Sequence, residues 1–482
     1  MERREFLYAG GLSIIVPAVA GYSQSDGRFD ELCKLVEAKM AEYHVPGVSY
    51  GVLKSGNRMT RSFGVTSLED PQPVTPDTIF PIASISKTFA TTAVMRLIDQ
   101  GKVELKTPIQ KYLPDFRVQD DATSHQVSLW HLVTHTPGWE GQIGAQDRGL
   151  DSLNFFVQGM KDNPQISRPG SVWSYNNAGF NVAGRVIEVV TGKSIHESLR
   201  DLIYVPVGLQ RATTLTGDAM TYRFAMPHRQ RPQTGQTEVI HSFSLPSDVT
   251  AGGIATTLND LLTYAEFHLG DGTAKGQRVL PRAALDQMKT AQLKKNSTED
   301  EIGLGWHIRH LNGVSTFAHG GTLGGHTLHI QLVPERSLAF VILTNHSDGW
   351  RLIQEVERAT LKSYENLALT PNQAIAHRGV SERMDSHAQP LAKQPALEQY
   401  VGTYQRPPLG KIEVREDAGK LVVANGNNPT GSSLAFFGRD VAYAIAGQAY
   451  VGTPYEFVRT PDGQVGWIRI NGRVARKDGV AL

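Results

Sequence analysis

The sequence holds a single cysteine, Cys33, in 482 residues, which excludes an intramolecular disulfide framework. Charge of neither sign is in excess: 48 Lys and Arg face 47 Asp and Glu, for a formal charge of +1. No basic surplus advertises nucleic acid or anionic lipid, so small-molecule or peptide substrates are the better expectation. Past the first twenty residues no apolar run approaches the roughly 20 residues of a membrane span. Low-complexity tracts and strong internal repeats are also lacking. With 40% hydrophobic residues the composition is globular, and the length exceeds one ordinary core.

What is present starts at the N-terminus. Arg3 and Arg4 precede Phe6 and Leu7, and a weakly apolar stretch ends in Ala18-Val19-Ala20, a small-residue cleavage pattern. Residues 1–20 therefore predict a twin-arginine-type signal peptide and an exported protein, periplasmic or extracellular. Phe29, Leu32, Val36 and Met40 recur at helical spacing, which makes Cys33 a buried core thiol rather than a nucleophile. Val48, Tyr50 and Val52 alternate ahead of Ser55-Gly56-Asn57, a β-hairpin pattern.

Helical segments and short strands then intermingle to about residue 370, predicting an α+β domain over residues 26–370. Residues 371–394 lack periodicity and collect Pro, Asn, Arg, Ser and His, the composition of a linker. From Leu397 short alternating runs separated by Gly or Asn turns take over: Lys411 to Val414, Leu421 to Ala424, Val441 to Ile445, Tyr455 to Arg459 and Val465 to Ile470. That rhythm predicts a separate small antiparallel β barrel over residues 395–482.

Three segments carry chemistry. Ser84-Ile85-Ser86-Lys87 opens a run with Phe89, Ala93, Val94, Leu97 and Ile98 at helical spacing, closed by Gly101. Ser84 and Lys87 then share one face at a helix N-terminus, where a neutral lysine can take the serine proton. Tyr175-Asn176-Asn177 follows Pro169-Gly170 and leads into a second helical run; a phenol can relay a proton and an amide can hold the lysine and a substrate carbonyl. His319-Gly320-Gly321-Thr322 precedes renewed alternation at Leu328, Ile330 and Leu332, and its glycines allow a ligand backbone to approach a strand. The N–H groups of Ser84 and Thr322 are candidates for an oxyanion hole.

In this order the three segments resemble the Ser-x-x-Lys, Tyr-x-Asn and Lys/His-x-Gly motifs of the serine β-lactamase and penicillin-binding-protein family. Thr75 to Thr78, Leu132 to Gly138, Gly252 to Thr256 and Gly303 to Trp306 add to a likeness spanning about residues 29 to 366. The resemblance implies an antiparallel sheet with flanking helices plus an all-helical subdomain, and a serine hydrolase working through an acyl-enzyme on Ser84. It further implies Lys87 as base, Tyr175 as proton relay, and Asn177, His319, Gly320, Gly321 and Thr322 as substrate-binding groups, without cofactor or metal. Tyr-x-Asn places the chain beside class C β-lactamases, D,D-peptidases, D-aminopeptidases and esterases. His319 in place of the usual lysine argues for neutral esters or D-amino-acid peptides, with β-lactams cleaved poorly. The alternatives are an efficient β-lactamase or D,D-carboxypeptidase, a slow penicillin-binding sensor, and a peptide acyl transferase; an oligomer is compatible with each. The residues from Leu397 to Tyr404 resemble the opening of the lipocalin-like domains appended to some members.

Other motifs have plainer readings. Gly47-Val48-Ser49-Tyr50-Gly51 matches a nucleophile elbow, but Val52-Leu53-Lys54 leads to a turn instead of the required helix. Thr191-Gly192-Lys193-Ser194 lacks the earlier glycine of a phosphate loop and reads as a helix terminus. Tyr364-Glu365-Asn366 repeats the Tyr-x-Asn spacing by chance. His319, His326 and His329 do not have metal-site spacing. Replacing Arg3 and Arg4 with lysine is expected to trap precursor inside the cell; export and trimming of the double variant, followed by immunoblot, is the contrary result.

Overall fold

The structure is a computed structural model and describes residues 26–231, 233–242, 244–295, 300–369, 389–447 and 451–482. The expected signal peptide and most of the expected linker lie outside the described residues. Asp26 caps the first helix, Gly27–Tyr43, by accepting from the Arg28 N–H, and the helix buries Phe29, Leu32, Cys33 and Val36 as its periodicity predicts. The hairpin follows as strands Gly47–Lys54 and Asn57–Gly64.

These two strands form one edge of an eight-stranded antiparallel sheet. Its order runs Asn57–Gly64, Gly47–Lys54, Leu338–Thr344, His326–Val333, Val314–Leu323, His307–Leu311, Glu301–Ile302 and Leu293–Lys294. The chain thus leaves the sheet after its second strand and returns more than 200 residues later. Val48, Tyr50, Val52, Phe340 and Ile342 point to one face, packed under the helices Gly27–Tyr43 and Gly349–Glu365. Leu328, Ile330, Val341 and Leu343 point to the other, where the helices Ser86–Asp99, Asn177–Thr191 and Leu258–Leu269 complete the main core. At Gly51 the helix Leu258–Leu269 comes so close that a Cβ would sit 2.8 Å from Leu262 Cδ1, so a larger residue would displace that side chain. The long excursion between the strands supplies a helical subdomain that includes Asp121–Gln126, Leu129–Val133 and Ser152–Gly159.

The C-terminal residues form a closed eight-stranded barrel, as the alternating runs predict. Three of its strands, Gly402–Gln405, Asn428–Gly438 and Arg473–Lys477, are not evident from alternation. In Asn428–Gly438 bulges shift the register twice and break the period of two. In Arg473–Lys477 the adjacent Val474 and Ala475 are both buried, one against the first domain and the other in the barrel core. The interior is filled by Tyr404, Val414, Phe436, Phe457 and Ile468. Leu391 and Gln394, assigned to the linker by sequence, already hydrogen-bond to Phe436 of the barrel.

The barrel docks directly on the helical subdomain. Trp467 and Val474 pack with Ile166 and Val172, and the Trp467 indole donates to the Ile166 carbonyl at 3.0 Å. Arg469 donates to the Trp173 carbonyl at 3.1 Å, and the Tyr175 N–H donates to the Gly472 carbonyl at 2.8 Å. Each fully buried aliphatic side chain stabilises such a contact by about 1.5–3 kcal/mol. A protease site introduced between residues 371 and 388 should therefore yield, after cleavage, two fragments that co-elute on gel filtration. Separate elution in native buffer would contradict the docked arrangement.

Candidate active site

Ser84 occupies a 3-10 turn, Ala83–Ile85, that runs straight into the helix Ser86–Asp99. The preceding Ala83 has φ +47°, a left-handed conformation that costs a non-glycine residue about 1–3 kcal/mol. The surroundings impose it. The Ile82 N–H donates to the Ile254 carbonyl at 2.8 Å, and the Ser86 hydroxyl accepts from the Ile254 N–H at 3.1 Å. The strand Val314–Leu323 closes on the same turn at Gly321, where a Cβ would lie 2.5 Å from the Ile82 carbonyl oxygen.

Lys87 is fully buried, with its Nζ 3.2 Å from Ser84 Oγ and 2.5 Å from the Ala251 carbonyl. Burial holds its pKa well below the ordinary lysine value; the positive charge of Arg473 lowers it further, and Asp248 opposes the shift. With one N–H directed at Ala251, a neutral amine keeps a lone pair for the serine proton. Tyr175 closes the group from the other side, its ring centroid 4.9 Å from Lys87 Nζ. Burial pushes its phenol up to about 12, against the lowering influence of Ser84 and Arg473, so at neutral pH it is a proton donor. His135 stacks on Tyr175 at 4.5 Å, and its Nδ1 accepts the Asn176 N–H at 2.9 Å.

Asn177 opens the helix Asn177–Thr191 and is placed as the sequence suggests, but it does not hold the lysine. The hydrogen-bonding neighbours of Lys87 Nζ are Ser84 Oγ and the Ala251 carbonyl instead, and Asn177 Oδ1 is buried without a partner. At His319 burial favours the neutral ring. Its Nδ1 donates to the Gly320 carbonyl at 2.7 Å, leaving a bare, buried and unpartnered Nε2. Burial first, and then the Lys87 charge, push its pKa down to about 3, which favours an uncharged ring near neutrality. Gly320 and Thr322 lie on the same strand, Thr322 exposed and in register with Thr327. His326 bonds instead to the Ala225 carbonyl at 2.9 Å and His329 to Gln331 at 3.3 Å. Among the described residues no group of three or more His, Cys, Asp or Glu could hold a metal ion.

The sequence reading missed Arg473. It opens the last barrel strand, and its guanidinium lies 5.2 Å from the Tyr175 ring centroid with a buried, unpartnered Nε. Asn471-Gly472 is a legible turn signal, yet nothing local indicates that this turn reaches another domain's cleft. The competing motifs lie elsewhere. Ser49 is buried within a continuous strand and shares a hydrogen bond of 2.7 Å with Ser62, so there is no nucleophile elbow. Gly192 is a helix cap, and Tyr364 ends a helix on the far face of the sheet.

The family model for Beta-lactamase matches residues 32–361 of this chain. The chain belongs to the β-lactamase family. Penicillin-binding protein 4 of Amycolatopsis lactamdurans is 32% identical over 316 residues, covering 64% of this chain and 83% of that protein. Unguisins hydrolase ungD' of Aspergillus campestris is 23% identical over 475 residues, covering 90% and 87%. Among solved structures, SurE superposes with a TM-score of 0.78 at 24% identity, covering 94% of this chain and 99% of that one. SurE has also been solved with D-Leu, at a TM-score of 0.76, 24% identity and coverage of 94% and 100%. Among the described residues of this β-lactamase-family chain no helix is long and apolar enough to cross a membrane.

The Arg473 charge sets a pH prediction. Where neutral Lys87 is the working form, activity falls below its pKa; removing a neighbouring cation makes the ammonium easier to form and raises that pKa. Arg473→Gln should move the acid limb of kcat/KM for an uncharged ester to higher pH. An unmoved limb, or one moved to lower pH, would remove Arg473 from the electrostatics of the base.

Proposed function

We propose that this β-lactamase-family serine hydrolase forms an acyl-enzyme on Ser84 and cleaves peptides at a D-configured residue, releasing a leaving group whose carboxylate binds Arg473. The observation that carries the reading is the Arg473 guanidinium beside Tyr175, with its Nε buried and unpartnered. The expectation of uncharged substrates rested on His319, and His319 is indeed neutral. A cation comes instead from Arg473, beside the Tyr175 ring. A carboxylate there sits on the side where Tyr175 would protonate the leaving group.

Neutral Lys87 takes the Ser84 proton, and Oγ attacks the scissile carbonyl. The developing oxyanion lies against the N–H groups of Ser84 and Thr322. Tyr175 passes its proton to the departing nitrogen and is recharged by Lys87, after which water repeats the sequence on the ester. Asn177 Oδ1 and His319 Nε2, both buried acceptors without partners, are available to substrate N–H groups. The D configuration is supported by the names of relatives: one is a penicillin-binding protein, and SurE was solved with D-Leu. Penicillins carry the same carboxylate, but with no cation on the strand Val314–Leu323 they are poor substrates here. The Arg3-Arg4 pair supports a reading in which this work is done outside the cytoplasm.

A fluorophosphonate should add mass to the peptide containing Ser84, and Ser84→Ala should abolish both labelling and turnover. Arg473→Gln should raise KM roughly tenfold or more for a D-configured dipeptide with a free C-terminal carboxylate, and far less for its amide. Labelling at Ser49, or an equal effect on acid and amide, would refute the proposal.

A further inference from the structure

The loop Trp139–Gln142 is bonded at once to the barrel and to the segment carrying Tyr175. Towards the barrel, Glu140 takes a two-pronged contact from Arg406, Nε to Oε2 at 2.8 Å and Nη2 to Oε1 at 3.1 Å. The carboxylate is 1% exposed, and Arg406 Nη2 also donates to Gln142 Oε1 at 2.9 Å. Towards the cleft, the Trp139 carbonyl accepts from Asn176 Nδ2 at 2.9 Å, and the Gly141 carbonyl accepts the N–H groups of Asn177 at 2.9 Å and Ala178 at 3.2 Å. Within the barrel, Arg406 directly follows the strand Gly402–Gln405. That strand pairs with Arg473–Lys477, Gln405 lying opposite Arg476, so Arg406 continues the chain beside the strand that Arg473 opens.

We infer that the Glu140–Arg406 pair is a latch that holds Arg473 in the cleft, which makes both residues positioning residues for carboxylate-bearing substrates. The inference rests on the proposed role of Arg473. A buried ion pair that loses one partner leaves an uncompensated charge in a dry setting, which the fold relieves by letting water into the contact. Here the contact joins the two domains, and its opening displaces the hairpin that carries Arg473. Arg406 also occupies both oxygens of Glu140. The carboxylate whose charge reaches Arg473 is thereby prevented from drawing that guanidinium away from the substrate.

The test compares a D-configured dipeptide with its C-terminal amide on the full chain and reads the ratio of their KM values. Arg406→Gln and Glu140→Gln should each cut the preference for the free acid by about fivefold or more, with unchanged circular dichroism. Arg406→Lys, which keeps the charge but not the fork, should fall between and decides the matter if either neutral variant does not fold. On an Arg473→Gln background Arg406→Gln should bring no further loss. The latch is overturned if the folded variants keep the preference within about twofold, or if their loss adds in full to that of Arg473→Gln. Loss in Arg473→Gln without loss in Arg406→Gln overturns the latch alone, whereas no loss in Arg473→Gln overturns both readings.

Discussion

The candidate site depends on the burial of one amine. Lys87 Nζ sits under the rings of Tyr175 and Phe180, at 4.9 and 5.5 Å, with one carbonyl and one hydroxyl within hydrogen-bonding distance. Keeping an ammonium there costs several kcal/mol relative to water, because two neutral oxygens and two ring faces do not replace a hydration shell. The lysine therefore sheds its proton more readily than an exposed one. Its position three residues after Ser84, across the junction of a 3-10 turn and a helix, directs the lone pair at the hydroxyl. The sheet, the helical subdomain and the turn at Ala83 together bury the lysine, while Ser84 stays partly exposed.

The same desolvation governs the histidines nearby. Burial pushes His135, His307 and His319 below the ordinary histidine range, and the charge of Lys87 works in the same direction on each. His307 and His319 lie with ring centroids 5.0 Å apart, and burial favours the neutral form of both. A position that carries a fixed cation in the lysine-containing relatives is thus an uncharged acceptor. The cation beside the Tyr175 ring, Arg473, arrives from the barrel.

The C-terminal domain contributes to the cleft through its surface. Among the described residues the barrel has an interior packed with Tyr404, Phe436 and Phe457. Its contribution is a hairpin, the strands Val465–Ile470 and Arg473–Lys477, whose outer face is Trp467 and Val474 against the helical subdomain and whose first residue past the turn is Arg473. Because Tyr175 donates its N–H to Gly472, the backbone of the candidate proton relay is itself held by this domain.

Local signals in the sequence were enough for much of this. Helical spacing places Ser84 and Lys87 on one face, Pro169-Gly170 and the apolar run after Asn177 locate Tyr175 before a helix, and alternation marks five of the eight barrel strands. Each of these depends on residues within a turn or two of one another, where periodicity and turn chemistry are legible. Three things were not legible. The charge of His319 depends on burial by strands and helices far away in the chain; the partner of Asn177 depends on where Lys87 finds a carbonyl; and the last barrel strand loses its alternation because two domains bury opposite faces of it. Arg473 is the clearest case. By sequence alone it is one arginine after a turn, and only the packing of Trp467 and Val474 on Ile166 and Val172 carries it, across nearly 300 residues of chain, to the ring of Tyr175. Sequence thus determined which side chains are neighbours along one element, whereas charge state and cross-domain proximity were decided by tertiary structure, because desolvation is a property of everything that surrounds a group and not of the residues beside it.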